Sequence, residues 1–579
     1  MMSNLPPFLF FFLGALLVPF VRGYFRLTLL LIVPVISGIN LLGIDHGVYL
    51  QSSFLNYDLI PYRVDRLSLL FGYLFHLAAF ISVIYSLNVR DTMQHVAGLL
   101  YAGSALGAVF SGDLITLFIF WELMAISSVF LVWARRTERA MNSGFRYLII
   151  QVASGVLFLA GAVLHVHETG STHFEFIGLN GLASWLILLA FGIKAAFPLV
   201  HNWLTDAYAE ATPSGTVFLS AFTTKTAIYV LARGFPGTEI LIYVGAAMTC
   251  FPIFYAVIEN DLRRVLGYSM INQLGFMVCG IGIGTALSIN GAVAHAFTDV
   301  IFKGLLFMTM GAVLHMTGRM NGSDLGGLYK TMPKTTILCI IGAASISAFP
   351  LFSGFVSKSM IMVAVLEEGY SIIWLMMLFA SAGVFHHAGI KIPYFAFFAH
   401  DSGIRVSDPP VNMLIAMMLA AGLCIFIGCY PWLLYSLLPF SVDYTPFDTT
   451  HVITQLQLLF YSALAFTWLT LKGLYPPELR SVNIDIEWFY RKLFPRCWSS
   501  VVIFFTKLNA YFIGIRNLIF MYTLNTLQRL YGQKNMLLRG LDISVLLVWF
   551  ILCFAGCLAF YLIRTFLAGH LIRILPIIE

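Results

Sequence analysis

Charge is what this sequence has least of. Asp, Glu, Lys and Arg make up 10% of 579 residues, against roughly a quarter in an ordinary soluble protein. That scarcity excludes a soluble enzyme. With 60% of residues hydrophobic, no stretch is left to fold in water as a nucleotide-binding or flavin domain, so no cofactor is expected. The eight cysteines lack CxxC spacing. Cys424 and Cys429, like Cys553 and Cys557, lie inside apolar runs, where thiols read as helix-packing residues rather than metal ligands or disulfide partners. No converging ligand set is visible, so no metal site is expected. The net charge of +6 informs orientation in so apolar a chain and does not indicate a nucleic acid partner. Met1 to Leu5 carry no basic region ahead of the first apolar run and no cleavage site follows, so the run reads as a retained span.

What the chain does have is one apolar stretch after another. Roughly 347 hydrophobic residues, at ~20 per bilayer crossing, supply at most about 17 helices. Apolar windows and their breaks place sixteen spans, at 5–21, 24–43, 66–88, 93–111, 113–134, 144–165, 181–209, 214–233, 239–258, 264–287, 290–317, 334–362, 369–399, 411–438, 452–473 and 543–567. Alternate loops collect Arg22, Arg26, Arg90, Arg135, Arg136, Arg139, Arg263, Arg264, Arg319 and Arg405. The opposite loops collect Asp45, Asp58, Glu168, Glu175, Glu367, Glu368, Asp443 and Asp448. Arg63 and Arg66 are the exceptions, and the positive-inside rule puts the N-terminus outside the cytoplasm of a plasma (cell inner) membrane. Segment 481–541 breaks the pattern, because Lys507 and Arg516 would be costly inside a crossing. An amphipathic helix along the cytoplasmic surface fits it better than a seventeenth span.

Ionisable residues within spans each need a reason, since one charge at mid-membrane costs about 2.5–3.5 kcal/mol on insertion scales. Glu122 lies in the fifth span, Lys194 in the seventh, Lys225 in the eighth, Lys358 in the twelfth and Lys391 at the end of the thirteenth. His295, Asp299 and Lys303 recur at i, i+4 and i+8 in the eleventh and so share one helix face. A stack of imidazole, carboxylate and amine can hand a proton along; a polar seam stapling helices together is the competing reading.

Two spans carry a proline beside a lysine: Lys194 with Pro198, and Pro350 and Gly354 with Lys358. Irregular backbone at membrane depth survives only where protein buries it or it lines a wet cavity. The seventh and twelfth spans are five apart, an odd number, which gives two five-span units opposite topology if the breaks correspond; two unrelated proline kinks are the alternative. Glu122 and Lys194 have opposite charge and are expected to pair, as a switch or as a static clamp. The Gly280-Ile281-Gly282-Ile283-Gly284 run reads as close helix packing, not a nucleotide loop. His165, His167, His386 and His387 read as helix-to-helix hydrogen-bond partners.

The residues from Gly112-Asp113-Leu114 to Trp121-Glu122-Leu123-Met124, and from Gly192-Ile193-Lys194 through Pro198-Leu199-Val200-His201 to Asp206-Ala207, resemble the signature of the proton-conducting antiporter-like family. So do Asp261-Leu262-Arg263-Arg264 with Gln273-Leu274-Gly275, and Phe302-Lys303-Gly304. That family unites large membrane subunits of NADH-quinone oxidoreductase, Mrp-type sodium/proton antiporters and membrane-bound hydrogenases. The resemblance implies an all-α polytopic membrane protein with a fourteen-helix core, two inverted five-helix repeats, broken seventh and twelfth helices, and here a C-terminal extension. It implies a proton relay of Glu122, Lys194, Lys225, His295, Asp299, Lys303, Lys358 and Lys391, with Asp113, His201 and Asp206 as access or loop residues. Asp299 stands where some members have a second histidine, and with Lys391 it is similar to the D-type subunits of the antiporters. The expected division is 1–92, first repeat 93–233, second repeat 239–400, further spans 401–475, surface segment 476–541 and a last span 542–579. The implied role is a proton-translocating subunit of a sodium/proton antiporter complex, or alternatively of a redox complex, not itself a catalyst. Its partners are the lipid bilayer and other membrane subunits, and its cargo is protons and sodium.

Overall fold

The computed structural model describes residues 5–54, 57–480, 483–531 and 543–574. Helices α1 (Pro7–Leu17) and α2 (Gly23–Leu42) lead into an antiparallel hairpin of β1 (Gly47–Phe54) and β2 (Tyr57–Val64). Then follow α3 (Arg66–Ser86), α4 (Thr92–Phe110), α5 (Leu114–Trp133), α6 (Glu138–Thr169), α7 (Gly181–Lys194), α8 (Asn202–Glu210), α9 (Pro213–Ala221) and α10 (Thr223–Gly234). The next set is α11 (Ile240–Ile258), α12 (Leu262–Ile283), α13 (Ala286–Thr317), α14 (Pro333–Ile346), α15 (Ser353–Glu367), α16 (Ser371–Val384), α17 (Val411–Cys429), α18 (Trp432–Ser436) and α19 (Thr449–Leu471). Among the described residues, 13 helical stretches are long and apolar enough to cross a membrane, and shorter apolar helices include Gly181–Lys194 and Pro333–Ile346. The chain is a multi-pass helical membrane protein.

Three features depart from the expected spans. The hairpin replaces an expected loop: Ile60, Tyr62 and Val64 alternate inward along β2, a period of two too short to register among longer apolar windows. The expected eighth span is broken at Phe222 into α9 and α10. The thirteenth loosens after α16 into a π-helical turn, Phe385–Lys391.

The core is organised around α13, which packs against α9, α12, α14, α15 and α17. Every residue from Ser288 to Val313 is buried, so this helix has no lipid face. Its setting is repeated elsewhere in the chain. Asp113 caps α5 and Asp261 caps α12; Thr137 caps α6 and Thr285 caps α13; both long helices run 32 residues and end at left-handed glycines, Gly170 and Gly318. Each such cap satisfies a helix-end amide and contributes about 0.5–2 kcal/mol. The strand-like bonds match too, Leu114 N to Thr172 O at 2.8 Å and Leu262 N to Met320 O at 3.1 Å.

Both proline-containing spans are interrupted in the same way. Ala196-Phe197-Pro198-Leu199 and Ala348-Phe349-Pro350-Leu351 are the same four residues, and both alanines and both leucines have positive φ, between 57° and 75°. In each break the phenylalanine N–H donates back to the carbonyl five residues earlier, at 2.9 Å for Phe197 and 3.0 Å for Phe349. Proline has no N–H for the carbonyl four residues before it, which frees the oxygens of Lys194 and Ile346.

Residues Met1–Ile486 form one unit and Glu487–Glu579 another. In the second, α20 (Phe494–Tyr531) is one uninterrupted helix of 38 residues with nearly all its described side chains exposed, followed by α21 (Ile543–Ile574). At 1.5 Å per residue, α20 is about 57 Å long, against ~30 Å of bilayer hydrocarbon.

Candidate functional site

Lys225 and Asp299 form the centre of the site. Lys225 lies in the first turn of α10, where the helix dipole disfavours a cation. Its Nζ is 2.6 Å from Asp299 Oδ2 on α13, and both side chains are fully enclosed. The break at Phe222 contributes as well, because the freed Ser220 carbonyl accepts from the same Nζ at 3.3 Å. Tyr101 stabilises that break, with its hydroxyl 2.6 Å from Thr223 Oγ1 and accepting from Thr223 N at 2.9 Å.

The three polar residues along α13 turn to different neighbours. His295 bridges α12 and α15: Nε2 is 2.9 Å from Gln273 Oε1 and Nδ1 is 2.9 Å from Ser357 Oγ. Since the Gln273 oxygen accepts, Nε2 carries the ring proton and Nδ1 takes one from Ser357. Gln273 in turn donates to Asn272 Oδ1 at 2.8 Å, and Asn272 to the Thr249 carbonyl. Lys303 Nζ donates to Ser269 Oγ of α12 at 2.8 Å. Asp299 is thus the carboxylate held in common, within electrostatic reach of Lys225, Lys303 and Lys358.

The remaining lysines all donate to backbone carbonyls, Lys358 to one at a helix break, Lys391 to those at a helix end and Lys194 to one in the middle of α5. Lys358 Nζ donates to Ile346 O, the oxygen that Pro350 leaves free, at 3.3 Å and stands 5.0 Å from the Phe276 ring centre. Lys194 Nζ donates to Trp121 O at 2.6 Å and sits 4.1 Å from the Trp121 ring centre. The expected Glu122–Lys194 ion pair is not formed. Glu122 is within electrostatic reach of Lys194, but its Oε1 is buried against Gly155 without a hydrogen-bond partner. A buried carbonyl one residue away satisfies the ammonium instead. Lys391 caps α11, donating to the carbonyls of Ala256, Val257 and Glu259 at 3.2, 2.7 and 2.7 Å, and pairs with Glu478 at 2.9 Å.

The three expected access residues are all held in bonds. Asp113 accepts from Thr116 N at 2.7 Å, Thr116 Oγ1 at 2.6 Å and Ile60 N at 2.7 Å, which joins α5 to the hairpin. Asp206 pairs with Arg146 at 2.6 Å and with Arg264 at 3.5 Å. It stands as far beyond Pro198 as Lys358 stands beyond Pro350, so the matching positions of the two breaks carry opposite charge. His201 Nε2 is 3.3 Å from Asp485 Oδ2, which also accepts from Tyr268 at 2.7 Å. Burial alone would raise the Asp485 carboxyl; His201 and Tyr268 outweigh it and hold the carboxyl below the usual range.

Sequence reasoning missed the partners: Trp121, Ser269, Ser357, Arg146, Glu478 and Asp485. Acids at 478 and 485 beside a basic stretch were the available signal for the last two.

Residues 111–386 match the family described as NADH:quinone oxidoreductase/Mrp antiporter, TM. Among curated relatives, the A-type subunit of the Na(+)/H(+) antiporter of Alkalihalophilus pseudofirmus is 30% identical over 494 residues, 72% of this chain and 60% of its own length. The D-type subunit from the same organism is 31% identical over 309 residues, 49% of this chain and 62% of its own length. The chain therefore spans about three fifths of each of these relatives. Among solved structures, the archaeal membrane-bound sulfane sulfur reductase matches with a TM-score of 0.69 at 22% identity, over 96% of this chain and 100% of the matched chain. The family match spans the breaks at Pro198 and Pro350 and Lys358, which takes the carbonyl freed at the second, and by it residues 111–386 of the chain belong to the NADH:quinone oxidoreductase/Mrp antiporter family of membrane subunits.

Proposed function

We propose that this chain is the proton-translocating membrane subunit of a cation/proton antiporter complex, with sodium as the counter-ion. The observation that carries the reading is the enclosed Lys225–Asp299 pair at 2.6 Å. It joins α10 of segment 93–233 to α13 of segment 239–400, and an enclosed pair has two states, closed and opened by a proton, that neighbouring charges bias. Glu122 and Lys194 lie on the first segment, Lys303 and Lys358 on the second, and His295 adds a ring held with its proton on Nε2 and its Nδ1 toward Ser357. In this reading a proton passes along Glu122, Lys194, Lys225, Asp299 and Lys303 to Lys358. His295 tunes the second segment, while Lys391 with Glu478 anchors it.

The two segments are, in this proposal, inverted five-helix repeats within a fourteen-helix core. The duplicated caps, 32-residue helices and Ala-Phe-Pro-Leu breaks support it. The host membrane is a plasma membrane, with the N-terminus outside the cytoplasm. In this reading neighbouring membrane subunits dock along the basic segment expected at 476–541, of which residues 481–482 and 532–541 lie outside the described residues. A role as the proton-pumping subunit of a redox complex is the alternative, favoured by the length of the match to the sulfane sulfur reductase chain. Sodium-dependent proton movement by the assembled complex separates the two.

The test of the relay is pH-gradient dissipation in vesicles carrying the assembled complex. Glu122→Ala and Lys194→Ala are expected to abolish flux while the complex still assembles. Near-normal flux in both variants overturns the reading.

A further inference from the structure

Between α15, α16 and the start of α19 lies a cavity of about 310 Å³ that reaches Lys358. Its α15 and α16 walls are largely apolar, with Met362, Leu366 and Trp374 toward the Glu367–Ser371 turn. The α19 wall differs. Thr450, His451, Thr454 and Gln455 all face the cavity, a polar stripe on a helix apolar enough to cross a membrane. The stripe meets the second helix break: Gln455 Nε2 donates to Ser347 O at 3.0 Å, one residue from the carbonyl that holds Lys358. Two polar atoms facing this space are buried without a hydrogen-bond partner, Ser381 Oγ and His451 Nδ1. A histidine inside a membrane-spanning helix needs a function or a partner, and α19 lies wholly beyond the matched residues 111–386.

We infer that α19 builds a hydrated vestibule through which His451 exchanges protons between Lys358 and the membrane face bearing the Glu367–Ser371 turn. The inference rests on the relay reading above and adds to it an entrance and a residue. A water needs two to four polar partners and room for itself; the stripe supplies partners at each step, and the volume holds several waters. His451 takes a proton from water at the mouth on one ring nitrogen and releases one from the other to the cavity waters. Those pass it to the neutral Lys358 amine, which leaves His451 as the other neutral tautomer, and a flip of the ring restores the starting arrangement. The groups facing His451 are Lys358 from α15, Asp448 at the N-cap of α19, and Tyr444, whose ring centre is 6.1 Å away and which lies within electrostatic reach of Glu367. From α16 the cavity receives only Trp374, Leu378 and Ser381. The mouth is therefore acidic and the inner end basic, the polarity that draws protons inward.

The test uses vesicles carrying the assembled complex. In Thr454→Cys, a water-soluble, membrane-impermeant cationic thiol reagent is expected to react from one membrane face only and to lower proton flux at least about tenfold. The unsubstituted chain treated alike controls for the eight native cysteines, and Thr450→Cys serves where Thr454→Cys does not assemble. His451→Gln keeps polarity without titration and is expected to lower flux about tenfold and flatten its pH profile, while His451→Glu restores a pH-dependent flux. Reaction with a lipid-soluble maleimide but not with the aqueous reagent would mean a lipid-filled cavity and overturn the vestibule, as would unchanged flux in His451→Gln. Abolished flux in Glu122→Ala beside normal flux in His451→Gln removes this inference alone; normal flux in Glu122→Ala and Lys194→Ala removes the relay itself.

Discussion

Neutralising Asp299 should be the most informative change at the site. Asp299→Asn keeps the shape of the side chain and removes the anion that faces Lys225 at 2.6 Å, where neither side chain touches solvent. Breaking a buried pair by removing one partner costs about 3–5 kcal/mol, because the remaining charge has no compensation. At 1.36 kcal/mol per factor of ten, that is about two to four orders of magnitude in the population of the charged Lys225. Ser220 O, at 3.3 Å, offers a dipole in place of a charge and recovers only part of it. Two measurements follow. Proton flux per assembled complex, from pH-gradient dissipation in vesicles, is expected to fall at least about a hundredfold. Thermal stability of the complex in detergent should fall with it. Adding Lys225→Gln should restore stability, since both charges are then gone, and leave flux abolished. The four-way comparison isolates the pairing energy from either side chain's other contacts. Near-normal flux in Asp299→Asn, or flux that returns with stability in the double variant, would show that the pair only holds α10 against α13.

Three further outcomes test the surroundings. Gly155→Ala alters no ionisable group, yet its new methyl would occupy the space of Glu122 Oε1; flux should drop several-fold with a stability change under about 1 kcal/mol, since only the end of a flexible side chain must move, and unchanged flux would mean that the position of Glu122 is immaterial. Asp113→Ala removes three hydrogen bonds at the α5 cap, and should cost about 1–2 kcal/mol in thermal unfolding while leaving flux per complex intact; lost flux at full stability would restore Asp113 as an access residue. Asp485, held below the usual carboxylate range, contributes stability that is complete above about pH 4 and lost as pH falls through its folded-state value. The protection of residues 483–486 against hydrogen exchange, taken relative to the intrinsic amide rate at each pH, should therefore fall on acidification, and Asp485→Asn should show the lower protection already at neutral pH.

The spans and both breaks were legible because each is a local signal. Pro198 and Pro350 sit inside apolar runs beside a lysine, and that pairing marks the two breaks, whereas α2 and α11 run on through Pro34 and Pro252. The i, i+4, i+8 spacing of His295, Asp299 and Lys303 likewise fixes a shared face. Contacts across helices were not legible. Nothing near Lys225 in sequence points to Asp299, 2.6 Å away in space, and opposite charge alone favoured the Glu122–Lys194 pair, which the Trp121 carbonyl displaces. Backbone acceptors are invisible to any search among side chains, which is why the lysine partners Ser220, Ile346 and Glu259 went unread. The break at Phe222 and the π-helical turn at 385–391 carry no proline at their start and depend on packing. Composition also hid Glu478 and Asp485, two acids embedded in a segment whose average is basic.

The stack on α13 has an electrical consequence. From Asp299 to Lys303, the step along α13 in the proposed relay, is four residues, about 6 Å along the helix axis at 1.5 Å per residue. In a helix long enough to cross ~30 Å of hydrocarbon, that is about one fifth of the membrane field. A full crossing by one elementary charge is worth about 2.3 kcal/mol per 100 mV, so a proton making that step works with or against about 0.5 kcal/mol per 100 mV. Transfer from Lys225 to Asp299, between neighbouring helices, leaves depth nearly unchanged and goes almost unfelt. Membrane voltage would therefore weigh on the α13 stack and spare the pair at its centre, and the slope of flux against potential reads out which of the two limits the rate.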